Sequence, residues 1–262
     1  MIGEDADADR EARRAVIANE LAWHEEEAHR RVSLDSFLYA PPAFDAVVQS
    51  SLKYLQPNEN EWVLDLGCGE GKEALELVRQ GAGVIGVDLS HQQLGRAREH
   101  VLRFAPKAKI HFVQANAEEL PFCAGAFRSI HGKAIIHHLD LKISADEIKR
   151  LLQPKGRATF AEPLAQHPLF WLGRQLTPRL RTKDEHPLAF DELSRFGGYF
   201  QQSEVEAYFF LAPLGYVLRR VPGGERPFQL LHHLLQRIDT TLFGLGDKLK
   251  GLAWYGMVKV EK

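Results

Sequence analysis

An α/β fold, a parallel sheet covered by helices on both faces, is what this sequence predicts, and three observations carry the prediction. Short apolar runs bounded by glycine, proline and polar clusters alternate with helix-forming segments from residue 61 to residue 162. The first of these runs ends in a glycine-rich turn, VLDLGCGEGKEAL (63–75), which leads straight into helix-forming residues. The spacers between runs also suit the helical crossover that joins parallel neighbours.

Taken in order, MIGEDADADR (1–10) is acidic and small and is expected to fray. Residues 11–31 favour a helix with Ala15, Leu21, Ala22 and Trp23 as contacts, and Pro41-Pro42 ends whatever precedes it. In AFDAVVQSSLKYL (43–55), Phe44, Val47, Val48, Leu52 and Leu55 recur at helical spacing, which predicts an amphipathic helix. Strands are then expected at 61–66, 83–89, 108–115, 127–135 and 156–162, with helices at 71–80, 90–104 and 144–153. After Glu162 the rhythm breaks: residues 163–198 hold four prolines and a local excess of Arg and Lys. VEAYFFLA (205–212) returns as a strand, a helical stretch covers roughly 227–250, and LAWYGMVKV (252–260) forms a last strand. The expected organisation is an N-terminal helical segment or lid, 1–56, and a main domain, 57–262, with inserts at 163–200 and 222–250.

Composition bounds the function. With 262 residues, 45% of them hydrophobic and 26% charged, the chain can bury a sizeable core. A net charge of -2 offers no overall attraction to nucleic acid or an anionic membrane. Only Cys68 and Cys123 are present, with neither a leader nor a membrane-length apolar run, so a reducing, cytoplasmic setting is expected. Both cysteines read as structural.

The glycine turn does not fit the commoner nucleotide loops. A dinucleotide fingerprint needs a third glycine where Lys72 stands. A phosphate loop needs glycine at Leu66 and Ser or Thr at Glu73. Instead the turn follows a carboxylate, Asp65, better suited to an amino group than to a pyrophosphate. The second strand ends in another, Asp88, placed to accept from ribose hydroxyls. A nucleoside carrying an amino acid satisfies both carboxylates, and S-adenosylmethionine is such a molecule.

VLDLGCGEG, GVDLS, QANAEELPF and GKAIIHHLD, in this order and spacing, resemble the class I S-adenosylmethionine-dependent methyltransferases, in particular the bacterial small-molecule group that includes the ubiquinone and menaquinone type. The likeness covers roughly residues 60–163. It implies a Rossmann-like sheet of seven strands in the order 3-2-1-4-5-7-6, with the lid and inserts capping the active site. It also implies that Asp65, Gly67, Cys68 and Gly69 lie along the methionine moiety, and that Asp88 and Leu89 hold the ribose and flank the adenine. Asn116 and Ala117 stand where the family has an Asp-Ala pair. Lys133, where the family commonly has Asn or a small residue, touches the methionine part, with a charge that could assist an acidic substrate.

Methyl transfer from a sulfonium is an in-line displacement, and a base matters only when the acceptor must lose a proton. Candidates are Glu162 and the pair His137 and His138, with His138 favoured as the one facing substrate, all at the carboxyl edge of the sheet where ligands collect. For the histidines the alternative is that one imidazole merely orders the loop. Pro163 is expected to stop the fifth strand and leave the Glu162 carboxylate at the pocket mouth. In the first insert, His167, Arg174 and Arg181 are candidates for an anionic acceptor, the alternative being a solvated face. Trp23, Phe37, Tyr39 and Phe44 are lid candidates, with plain core as the alternative. Residues 232–256 read as a packed helical cap, or else as a stretch resting on a membrane surface. No metal ligand set is expected. A small-molecule acceptor is expected, with self-association left open. The Asn/Asp-Pro-Pro-aromatic motif of base amino methylation is missing, which argues against a nucleic-acid substrate.

Overall fold

In the computed structural model, the described residues are 44–176 and 187–262, with helical positions at 15, 17–19 and 21–22. Helix α1, Asp45–Leu55, buries Val47, Ser51, Leu52 and Leu55, one stripe of an amphipathic helix. There follow β1 (Trp62–Leu66), α2 (Lys72–Arg79), β2 (Gly83–Asp88), α3 (His91–Phe104), β3 (Ile110–Gln114) and β4 (Phe127–Lys133). A short 3₁₀ turn, Ile136–His138, leads to α4 (Leu141–Leu151) and β5 (Leu152–Pro163). Helices α5 (Pro168–Leu176) and α6 (Phe190–Gly197) precede β6 (Gln202–Tyr208). The chain closes with a 3₁₀ segment, Ala212–Arg220, then α7 (Glu225–Phe243), α8 (Asp247–Lys250) and β7 (Tyr255–Glu261).

The seven strands form one sheet in the order β3-β2-β1-β4-β5-β7-β6. Strands β1 to β5 are parallel, and β7 runs antiparallel between β5 and β6. Helix starts are built as the residue types dictate. Ser90 caps α3 by accepting from Gln93 N, and Asp140 caps α4 by accepting from Lys142 N and Ile143 N. Gly71, at φ +75°, opens α2, and a Cβ there would meet Ala97 of α3 at 3.0 Å. That glycine therefore serves both the left-handed backbone and the close approach of two helices.

The main core joins Leu64, Leu66, Ile130, Ile148, Phe160, Leu193 and Val258 across the sheet. Full burial of a side chain such as Phe160 contributes roughly 1.5–3 kcal/mol. A second cluster, Phe44 with Phe209, Tyr216, Phe228, Trp254 and Tyr255, forms over the ends of β5, β6 and β7. Phe44, grouped in sequence with the lid aromatics, is thus core: its ring lies 4.7 Å from Tyr255 and 5.1 Å from Phe209.

Two strands differ from expectation. Strand β6 lies earlier than 205–212, because Phe209 at φ 65° turns its ring into the second cluster and the 3₁₀ segment, with Pro213 in its first turn, begins at Ala212. Strand β5 starts at Leu152 and includes Pro163. The proline is accommodated because β4 makes its last pairing at Ala161, leaving β7 as the only partner strand beyond it among the described residues. No helix among the described residues is long and apolar enough to cross a membrane.

Candidate active site

The site is assembled at the carboxyl ends of β1, β2, β4 and β5. Strand β1 delivers Asp65, fully enclosed, and its Oδ1 lies 3.0 Å from His131 Nδ1 on neighbouring β4. Burial pushes the Asp65 carboxyl up, against the opposing effect of the His131 hydrogen bond. Its other oxygen, Oδ2, has no hydrogen-bond partner among the described residues. A buried acceptor without a donor is costly, and a ligand ammonium would satisfy it.

The turn itself is tight. Gly67 and Gly69 have φ of +67° and +47°, and the space a Cβ would take at Gly69 is open. At Gly67 it is filled by the Ile135 side chain. Gly69 N donates to Asp88 Oδ2 and Ser90 N to Asp88 Oδ1, both at 2.9 Å. Asp88 is thereby held by two backbone amides, with lone pairs left for ribose hydroxyls. Leu89, half-buried, follows it, and its carbonyl accepts from Gln114. Cys68 is buried, and burial among Asp65, Asp88 and Glu73 pushes its thiol far up, so it carries no nucleophile. Asn116 Oδ1 accepts from Glu118 N in its own turn, and Ala117 packs into the main core. An open glycine turn, a held carboxylate and a buried one with a single oxygen lacking a donor among the described residues fit an S-adenosylmethionine moiety.

Lys133 corrects one expectation. Its ammonium is paired with Glu73 of α2 and lies 5.6 Å from the centre of the Phe44 ring. Burial alone pushes the Glu73 carboxyl up, yet the Lys133 charge outweighs that and holds it at about 2. The lysine is therefore neutralised within the fold and is not a spare charge for an acidic acceptor.

Glu162 corrects another. It has 0% exposure and is not at an open mouth. Oε1 accepts from Ile135 N and Ile136 N at 3.0 and 2.9 Å, and Oε2 lies 2.6 Å from His137 Nδ1. This carboxylate fixes the β4 loop and, by accepting the hydrogen bond of His137 Nδ1–H, leaves the imidazole lone pair on Nε2. His138 follows on the same 3₁₀ turn, its ring centroid 4.0 Å from that of His137.

His167, grouped by sequence with the acceptor-binding cations, is buried. Its Nε2 meets Phe210 O at 3.0 Å, and its Nδ1 accepts from Phe170 N at 3.3 Å. Burial lowers its pKa, so the ring is a neutral brace at the start of α5. Trp23, Phe37, Tyr39 and Arg181 lie outside the described residues, and Arg174 is placed on α5 by its backbone alone. Sequence reasoning missed His131 and Glu73. The register that sets Asp65 opposite His131 held the signal for the first, and Lys133 facing the first turn of α2 held it for the second.

Residues 63–156 match the methyltransferase domain family. The O-methyltransferase cnsE of Penicillium expansum is 34% identical over 116 residues, 44% of this chain and 42% of that protein. An uncharacterized methyltransferase, sll0829, of Synechocystis is 35% identical over 127 residues, 47% of this chain and 56% of that protein. The chain thus spans about half the length of these relatives. Among solved structures, geranyl diphosphate C-methyltransferase from Streptomyces coelicolor, bound to Mg2+, geranyl diphosphate and S-adenosyl-L-homocysteine, superposes with a TM-score of 0.58. It is 19% identical, over 83% of this chain and 78% of that one, a likeness of fold.

Proposed function

We propose, since this chain carries a class I S-adenosylmethionine-dependent methyltransferase domain, that it transfers a methyl group from S-adenosylmethionine to a small-molecule acceptor and releases S-adenosylhomocysteine. The observation that carries this reading is the open glycine turn tied to Asp88 beside the donor-less oxygen of buried Asp65. When bound, the cofactor supplies a methyl carbon already activated by a sulfonium. Asp88 would hold the ribose hydroxyls, Asp65 the ammonium, and Gly67, Cys68, Gly69 and Lys133 would line the methionine part. Leu89, Asn116 and Ala117 complete the adenine side.

For the acceptor, we favour a group that sheds a proton, a hydroxyl above all. His137 is the base, its Nε2 taking the proton while Glu162 holds the ring from the other side. His138 is a neighbour that shapes the same loop. Arg174 and Arg181, with the lid residues Trp23 and Tyr39, are assigned to the acceptor side. The inserts 163–200 and 222–250 roof it and keep out water. The setting is the cytoplasm, with no role for nucleic acid.

Calorimetry tests the central claim. S-adenosylmethionine and S-adenosylhomocysteine are expected to bind at micromolar levels and NAD not to bind. Asp88→Ala should weaken cofactor binding by about 100-fold, since it removes both a ligand acceptor and the anchor of Gly69. Absence of binding by either cofactor form would remove the reading.

A further inference from the structure

We infer that the outer face of α7 is a docking surface for an anionic lipid bilayer. This helix, Glu225–Phe243, has two apolar faces. Its inner row, Phe228, His232, Asp239 and Phe243, is buried against the fold. Its outer row, Leu230, Leu234 and Ile238, is spaced i, i+4, i+8 and points away from that core. Leu230 is 75% exposed and Leu234 55%. The 3₁₀ segment that packs beside α7 also carries exposed apolar residues, Leu214 and Val217, the latter 66% exposed. Scattered apolar residues on a surface are ordinary, but a row on the solvent side of a helix whose other side is already packed needs an occupant.

The charges choose the occupant. Arg226 stands four residues before Leu230 and Arg237 three after Leu234, both exposed and neither paired with a carboxylate among the described residues. Of the acidic residues on α7, Asp239 is buried and Glu225, at the helix start, is paired with Arg219. A leucine row edged by arginines on the same face matches an interface of acyl chains under anionic headgroups. A second copy of this chain suits it less well. A two-fold contact repeats the same patch on both sides and would bring the arginines of each copy toward those of the other. The surface needs neither cofactor nor acceptor, so it stands apart from the methyl-transfer reading.

The test is flotation of the full chain with phosphatidylcholine vesicles and with vesicles of roughly one third phosphatidylglycerol, at low and high salt. Binding to the anionic vesicles alone, weakened by salt, is the expected result. The double variant Leu230→Glu, Leu234→Glu should reduce it by about tenfold or more, with an unchanged melting temperature because both side chains are exposed. Arg226→Gln with Arg237→Gln should reduce it several-fold and flatten the salt dependence. Failure to bind either vesicle overturns the proposal. So does a wild-type dimer, seen by light scattering, that the leucine variant makes monomeric.

Discussion

Glu162 uses both carboxylate oxygens on the loop that follows β4, and that arrangement dictates what its substitution does. In Glu162→Gln the amide oxygen can still accept from Ile135 N and Ile136 N, but an NH2 group then faces His137 Nδ1. The imidazole must accept there, which moves its proton to Nε2 and removes the base. Turnover should fall by about 10²–10⁴-fold with cofactor affinity within a few-fold of wild type, measured by kinetics beside calorimetry. Unchanged turnover would take His137 and Glu162 out of the proton path. The Lys133–Glu73 pair gives a second residue-scale expectation. The folded Glu73 pKa of about 2 lies below its ordinary 4.5, so the native state binds fewer protons than the unfolded one. The pair's contribution is complete above about pH 4.5 and is lost as pH falls toward about 2. Replacing both residues, Glu73→Gln with Lys133→Met, should make the melting temperature fall less steeply over that window. A slope equal to wild type would show the pair adds nothing to acid stability.

At the scale of elements, one buried side chain ties α7 to its neighbour. Asp239 accepts from Phe210 N at 2.9 Å, Leu211 N at 2.8 Å and Ala212 N at 3.1 Å, the start of the neighbouring 3₁₀ segment. Asp239→Ala strands three donors and should cost about 2–4 kcal/mol, read from denaturant unfolding. Asp239→Asn, which keeps acceptor oxygen but loses the charge, should cost less. Elements were legible where periodicity is strong and unopposed: β1 to β4 and α1 to α3 fall within a few residues of where hydrophobic spacing puts them. Strand β6 was not, because in VEAYFFLA the aromatic run mimics a strand while Phe209 is drawn into a cluster with Phe44, Tyr216 and Trp254. Pro163 misled for the opposite reason, since a local rule about proline depends on whether a neighbouring strand is still present.

The whole molecule responds to its ligand through linkage. At a cofactor concentration about 100 times Kd, binding to the native state adds about 2.7 kcal/mol. For a chain of this size that raises the melting temperature by roughly 5–10 °C, a shift NAD should not produce in a thermal scan. The sheet order was implied only by the family resemblance, whereas the glycine turn and the two carboxylates Asp65 and Asp88 were determined by the sequence itself. Each depends on residues within a short stretch, where backbone conformation, strand alternation and spacing suffice. The carboxyl edge as the place of the site followed from the same alternation. Only the tertiary structure decided that Lys133 is answered by Glu73, that Glu162 is a buried brace behind His137, and that His167 supports α5. Each of these is a meeting of groups far apart in the chain. Composition cannot tell a buried, paired charge from a free one, because desolvation and pairing are set by what the fold brings alongside.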